Sequence, residues 1–241
     1  MVNMMKTHLF DFMIKPSLFF YENLTEPDII LDEETSRHII SVLRMKTGEK
    51  ILLTDGKGTL AEAKITSDNK KKCAVELIEK KFTPARSKQI IIGISLVKNA
   101  SRFEWFIEKA TEIGVAEIYP LICERTEKQH FRFERMDGIV TSAMLQSTQV
   151  WKPTLHHPVL FKDIISNQKP DQKFIAHCIE GNKINLKQAV VSGSAIILIG
   201  PEGDFTSKEI EIATDFTKVS LGETRLRTET AGIVAAAILC S

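Results

Sequence analysis

Two glycine turns near the end of this 241-residue chain hold the residue types that could grip a small ligand through backbone groups. The first, Gly200-Pro201-Glu202-Gly203, follows the apolar run Ala195 to Ile199. The second spans Leu221-Gly222 and Leu226-Arg227-Thr228-Glu229-Thr230 and leads into an alanine-rich stretch from Ala231. Glycine lets backbone approach a ligand closely because no Cβ stands in the way. Five apolar residues rich in β-branching predict a strand buried on both faces. Thr206 and Glu209 form a T-x-x-E pair, which predicts a capped helix just after the first turn. Side by side, such turns make a pocket of main-chain donors and acceptors, suited to a flat, polar, adenosine-like molecule. The plainer alternative is a βα turn followed by a packing helix.

Other chemistries lack their residues. There is no Ser-His-Asp or Cys-His pattern, P-loop or H-E-x-x-H, and the first turn departs from G-x-G-x-x-G. Cys73, Cys123, Cys178 and Cys240 lie far apart without C-x-x-C, which predicts neither a disulfide framework nor a zinc site and fits a reducing cytoplasm. His156-His157 and His177-Cys178 are adjacent pairs, and neighbours on a strand point to opposite faces, so no metal is expected. A net charge of +1 argues against a protein that coats nucleic acid by bulk charge. No apolar run approaches the roughly 18 residues that span a bilayer, and the N-terminus lacks a secretory pattern.

The elements that must position these turns fall into two parts. Ser17 to Tyr21, Lys50 to Thr54, Thr59 to Ile65 and Cys73 to Ile78 read as short strands, with a hairpin at Asp55-Gly56-Lys57-Gly58. Glu34 to Leu43 has helical spacing. Residues 1–80 therefore predict a small β-barrel with one helix. Lys80 to Gln89 is polar, contains proline and reads as a linker. From residue 90 strands and helices alternate, which predicts a parallel sheet covered on both faces. Strands are expected at Ile90–Val97, Val115–Ile122, Thr154–Val159 and Lys173–Cys178. Ser101-x-x-Glu104 predicts a capped helix that stops at Gly114, and Phe133 to Ser147 predicts another. The stretch from Glu229 to Leu239 has almost no polar face, so it is expected to be buried inside its domain or between two subunits.

The motifs Gly200-Pro201-Glu202-Gly203, Leu221-Gly222 and Leu226-Arg227-Thr228-Glu229-Thr230-Ala231 resemble the C-terminal signatures of the SPOUT methyltransferases. Within them the chain resembles the RsmE family. His38, Val42-Leu43-Arg44 and Gly48 look like that family's N-terminal H-x-x-x-V-L-R-x-x-x-G. Arg102-Phe103-Glu104, Glu108 to Val115 and Glu124-Arg125 look like its next motifs. Two stretches depart from the pattern. K-G-[DE]-R appears as Lys98-Asn99-Ala100-Ser101-Arg102, and A-x-E-Q-[SC]-x-R has Leu145 for its acid and Gln149 for its arginine.

The resemblance implies a PUA-like barrel in residues 1–80, and in residues 90–241 a SPOUT domain with a C-terminal trefoil knot, paired as a homodimer. It implies S-adenosyl-L-methionine as cofactor and methylation of uracil N3 of one uridine in small-subunit ribosomal RNA, either naked or assembled. The cofactor cradle is then Leu198, Gly200, Pro201, Glu202, Gly203, Leu221, Gly222, Leu226, Arg227, Thr228 and Thr230, and Gly203→Val is expected to abolish binding. His38, Arg44 and Gln146 are the implied RNA contacts; read on their own residues, His38 is a half-buried helix residue and Arg44 an equal candidate for complementing the helix dipole. Uracil N3 must lose a proton, and charge then develops on its carbonyl oxygens. Glu229 is the acid nearest the expected pocket, with Arg227, Arg102 and Arg125 as candidate charge stabilisers; an ion pair or a surface role competes for Arg125. For Glu229, complementing the positive start of a helix is an equal alternative. A ribose 2′-O methyltransferase and a non-catalytic RNA-binding module of the same fold are the competing readings.

Overall fold

In the first part of the chain, alternating apolar residues close a five-stranded sheet over one core. The computed structural model describes residues 17–127, 130–168, 170–189 and 193–241. These divide into two units between Pro84 and Ala85. In the first, β1 (Leu18–Phe20), β2 (Asp28–Ile30), β3 (Lys50–Thr54), β4 (Thr59–Ser67) and β5 (Ala74–Phe82) pair in the order β1-β3-β4-β5-β2. Only β1 and β3 run parallel. The helical segment is split into α1 (Glu33–Arg37) and a π-helical turn at His38–Val42. Asp32 caps α1 by accepting from the Thr35 amide at 2.9 Å. Ile39, Ile51, Leu53, Ile65 and Val75 form the buried centre. Lys80 to Phe82 is strand rather than linker, because β5 pairs with β4 as far as Phe82 opposite Thr59.

The second unit is a parallel sheet. Its strands are β6 (Ile90–Ser95), β7 (Glu117–Ile122), β8 (Thr154–Leu155), β9 (Val159–Leu160), β10 (Gln172–Ala176), β11 (Ile184–Asn185), β12 (Ala195–Ile199) and β13 (Thr217–Ser220). The order is β11-β13-β10-β12-β6-β7-β8, with β9 also on β7, and every pairing is parallel. The helices are α2 (Ala100–Ile113), α3 (Phe133–Gln146), α4 (Phe161–Asn167), α5 (Ser207–Ile212) and α6 (Thr228–Cys240). A strand sends successive side chains to opposite faces, so β6 and β12 feed two cores. Ile92, Ile94, Ile197 and Ile199 pack with Phe106 and Ala235. Ile91, Ile196 and Leu198 pack with Phe161, Phe205 and Ile210. Among the described residues, no helix is long and apolar enough to cross a membrane.

Local sequence explains several helix ends, with one correction. Gly114 ends α2 in the left-handed conformation, φ 96°, which glycine tolerates. Thr206 and Glu209 form the predicted capping box. The capping box at Ser101 does not form. Asn99 caps α2 instead, accepting from the Ser101 amide at 2.9 Å. Glu104 grips Arg135 of α3 through two bonds of 2.6 and 2.9 Å. A guanidinium partner offers a carboxylate more than one backbone amide does. Gln149, where the family pattern has arginine, turns inward and donates to the Thr111 carbonyl at 2.7 Å. It also donates to the Glu112 carbonyl at 3.2 Å, one of those that the end of α2 leaves open.

Candidate functional site

The carboxyl ends of β10, β12 and β13 surround a cavity of about 630 Å³. Sheet edges of this kind are where open α/β folds bind ligands. Of the expected cradle, Gly200, Pro201, Glu202, Leu221, Gly222, Leu226, Arg227 and Thr228 line it. Leu198, Gly203 and Thr230 do not. Leu198 points into the core, because its β12 position alternates away from the side of Ile197 and Ile199. Gly222 lies on the wall with φ 151°, a backbone conformation that few other residues adopt.

The first turn is tight for a visible reason. A Cβ on Gly200 would stand 3.0 Å from the Phe205 amide nitrogen and 3.1 Å from the Phe205 ring. Asp204 follows in the left-handed region, φ 63°. Its carboxylate accepts from the Phe205 amide at 2.8 Å and from the Cys178 amide at 2.7 Å. One side chain thus ties the loop after β12 to the loop after β10. Thr228, buried at the start of α6, donates to the Gly200 carbonyl at 3.0 Å. Arg225 donates to the Glu202 carbonyl at 3.3 Å. The two turns are therefore bonded to each other, 28 residues apart in sequence.

Arg102, Arg125 and Glu229 lie outside the cavity lining. Glu229 is 5% exposed, and Arg102 Nε stands 3.6 Å from its carboxylate. Its place in the first turn of α6 also sets the negative charge at the positive end of the helix dipole. Arg125 is exposed and donates to the Gly203 carbonyl at 2.6 Å. A Cβ on Gly203 would meet the Arg125 Cδ at 3.3 Å, so Gly203 contacts Arg125 rather than the cavity.

Beside these groups the thiol of Cys123 is pushed up to about 12, first by burial and then by the Glu209 carboxylate, so it stays protonated. Gln146 is exposed at the end of α3. In the first unit His38 is exposed, with its ring edge-on to Phe19 at 5.8 Å. Arg44 is exposed and left-handed, φ 59°.

Sequence reasoning singled out neither Asp204 nor Lys183 nor His177 as a site residue, yet all three line the cavity. For Asp204 a signal existed, since an aspartate after glycine can adopt positive φ and bond nearby amides. His177 had none, because only the pairing of β10 with β12 and β13 brings its strand end to the two turns.

A parallel α/β sheet with a cavity at its strand ends is a common ligand-binding architecture, and comparison with known proteins narrows it. The model for the RNA methyltransferase domain family matches residues 84–240, and that for the RNA methyltransferase PUA domain matches residues 31–78. The chain belongs to this RNA methyltransferase family. Ribosomal RNA small subunit methyltransferase E of Mesomycoplasma hyopneumoniae is 30% identical over 224 residues, covering 89% of this chain and 95% of the relative. The crystal structure of a probable rRNA-methyltransferase from Porphyromonas gingivalis superposes with a TM-score of 0.86 at 35% identity, over 91% of this chain and 95% of the other. Ribosomal RNA small subunit methyltransferase E from Neisseria gonorrhoeae, solved bound to S-adenosyl methionine, has a TM-score of 0.83 at 28% identity, over 92% and 95%.

Proposed function

We propose that this protein transfers a methyl group from S-adenosyl-L-methionine to uracil N3 of a uridine in small-subunit (16S) ribosomal RNA. The observation that carries the reading is the cavity built by the two bonded glycine turns, in a chain whose full-length relatives carry the name ribosomal RNA small subunit methyltransferase E. The residues fit the donor. The cavity volume lies within the roughly 300–1,000 Å³ usual for small-molecule sites. Its wall combines apolar Ile199, Val219 and Leu226 for a base with charged Lys183, Glu202 and Arg225 for an amino-acid end. When bound, S-adenosyl-L-methionine supplies an electrophilic methyl group on a sulfonium.

The protein's own task is to align the uracil and to stabilise the negative charge that forms as the N3 proton leaves. In this reading Arg102 and Arg125 face that charge with their guanidinium groups. The burial of Glu229 and its pairing with Arg102 support a role in holding Arg102 over one as proton acceptor. His38 and Arg44, both exposed, contact RNA from the strand-rich unit that ends at Pro84, and Gln146 contacts it from the catalytic domain. The backbone of Gly200 to Glu202, Leu221 to Gly222 and Leu226 to Thr228 forms the donor cradle, in a C-terminal segment folded as a trefoil knot. The bond from Thr228 back to Gly200 holds the two turns of that cradle together.

The same reading makes the protein a homodimer. Gly232, Ala235 and Ala236 of α6 are buried inside their own unit. Its Val234, Ala237 and Ile238 are left partly or fully exposed, an apolar face that a second copy would cover. The test is to incubate the protein with S-adenosyl-L-methionine and either naked 16S RNA or assembled small subunits, then to analyse nucleosides by mass spectrometry. N3-methyluridine is the expected product. A 2′-O-methyl nucleoside, or no product with either substrate, would overturn the reading.

A further inference from the structure

His177 stands where β10 opens into the cavity, and its ring makes no well-formed hydrogen bond, although the Ile179 backbone lies close enough to pull its pKa partly back up. Only 9% of the residue is exposed, and neither Nδ1 nor Nε2 finds a partner of hydrogen-bonding geometry. Buried polar groups left unsatisfied are unfavourable and uncommon. Among the described residues, His177 is the one with two such atoms. It also lines the cavity, so the idle nitrogens belong to the wall of the ligand site.

The surroundings decide what kind of group the ring awaits. Burial, then the Lys183 ammonium, holds the pKa of His177 below its ordinary value. Lys183 itself is anchored by the carbonyls of His177, at 3.1 Å, and Ile179, at 2.8 Å. The ring is therefore neutral near pH 7, offering one donor and one acceptor. A charged ligand group gains less from such a ring than from the side chains of Lys183, Arg225 or Glu202 on the same wall. A hydroxyl, which both donates and accepts, matches a neutral imidazole in either tautomer.

We propose that His177 is a specificity-determining residue of this cavity, and that its imidazole hydrogen-bonds the ribose diol of the bound nucleoside. The inference rests on the cavity being the S-adenosyl-L-methionine site. It assigns to His177 the reading of the sugar, while the glycine turns hold the rest of the molecule through backbone. It also explains why an unsatisfied imidazole persists in the free protein: binding supplies its partner.

Calorimetry with S-adenosylhomocysteine and its 2′-deoxy and 3′-deoxy forms tests this. His177→Ala should weaken S-adenosylhomocysteine about five- to tenfold, the worth of one hydrogen bond in a buried site. His177→Gln, which can also donate and accept, should recover part of the loss. For at least one deoxy analogue, native protein and His177→Ala should bind alike, because the hydroxyl that His177 reads is gone. Without ligand, His177→Leu should unfold at the same temperature as the native protein or higher, since an unsatisfied group has been removed. Equal affinity of His177→Ala and native protein for S-adenosylhomocysteine would overturn the proposal. So would an undiminished loss with both deoxy analogues, or a fall in the melting temperature of ligand-free His177→Leu, which marks a structural residue. Failure of the native protein to bind S-adenosylhomocysteine at all is a different result, and removes the donor-site reading itself.

Discussion

Thr228→Val isolates the bond that joins the two turns. Thr228 is 4% exposed, and its hydroxyl lies 3.0 Å from the buried Gly200 carbonyl. Valine keeps the shape and the β-branching, so helix propensity at the start of α6 hardly changes. Leaving a buried carbonyl unsatisfied costs about 1–3 kcal/mol, and the added methyl recovers up to about 0.8 kcal/mol by burial. The net loss should be about 1–2 kcal/mol, which lowers the melting temperature by roughly 2–8 °C in a chain of this size. The bond also fixes the spacing of the cavity walls, so S-adenosylhomocysteine should bind about two- to tenfold more weakly. Thr228→Ser retains the donor and should bind the ligand as the native protein does. Differential scanning calorimetry and isothermal titration measure the two effects. Native stability and native affinity in Thr228→Val would show that the turns are held together by something other than this bond.

Gly200→Val should be harsher, because its Cβ would press on the Phe205 backbone at 3.0 Å, a contact that no flexible side chain can relieve; the expected outcome is loss of S-adenosylhomocysteine binding in calorimetry and a lower melting temperature. Ala236 is fully buried within its unit while Ala237 is exposed, so Ala236→Arg should unfold the protein and Ala237→Arg should leave a folded monomer, as read by circular dichroism and sedimentation. The pKa of His177 is lowered in the folded state from 6.5, so the unfolded chain takes up this proton first as pH falls. Its contribution to stability is complete above pH 6.5 and is lost as pH drops through the lower folded value. Urea titrations from pH 7.5 to 4.5 should therefore show native stability falling relative to His177→Leu, and parallel curves would refute the depressed value.

Much of this molecule is legible from short stretches of its chain. The run Ala195 to Ile199 is strand to the residue, because five apolar, mostly β-branched residues stopped by Gly200-Pro201 are too short for a buried helix. The Thr206–Glu209 capping box and the Gly114 stop also form as read, since their partners lie within four residues. Eight of the eleven expected cradle residues line the cavity, as glycine turns declare themselves by composition. Where several local partners compete, tertiary contact decides. Glu104 could cap its helix but meets Arg135, 31 residues on, and the cap passes to Asn99. Lys80 to Phe82 looks like linker by polarity, but pairing with β4 makes it strand. Arg102 and Glu229 are 127 positions apart, and only the packing of α6 on α2 brings them together. His177 is the sharpest case. In sequence it is one histidine at the end of an ordinary strand. The order of β10, β12 and β13 turns it toward the cavity and leaves its ring without a well-formed hydrogen bond. Local propensity acts over a few residues, whereas a binding site is a meeting of strand ends, and that meeting exists only in the folded chain.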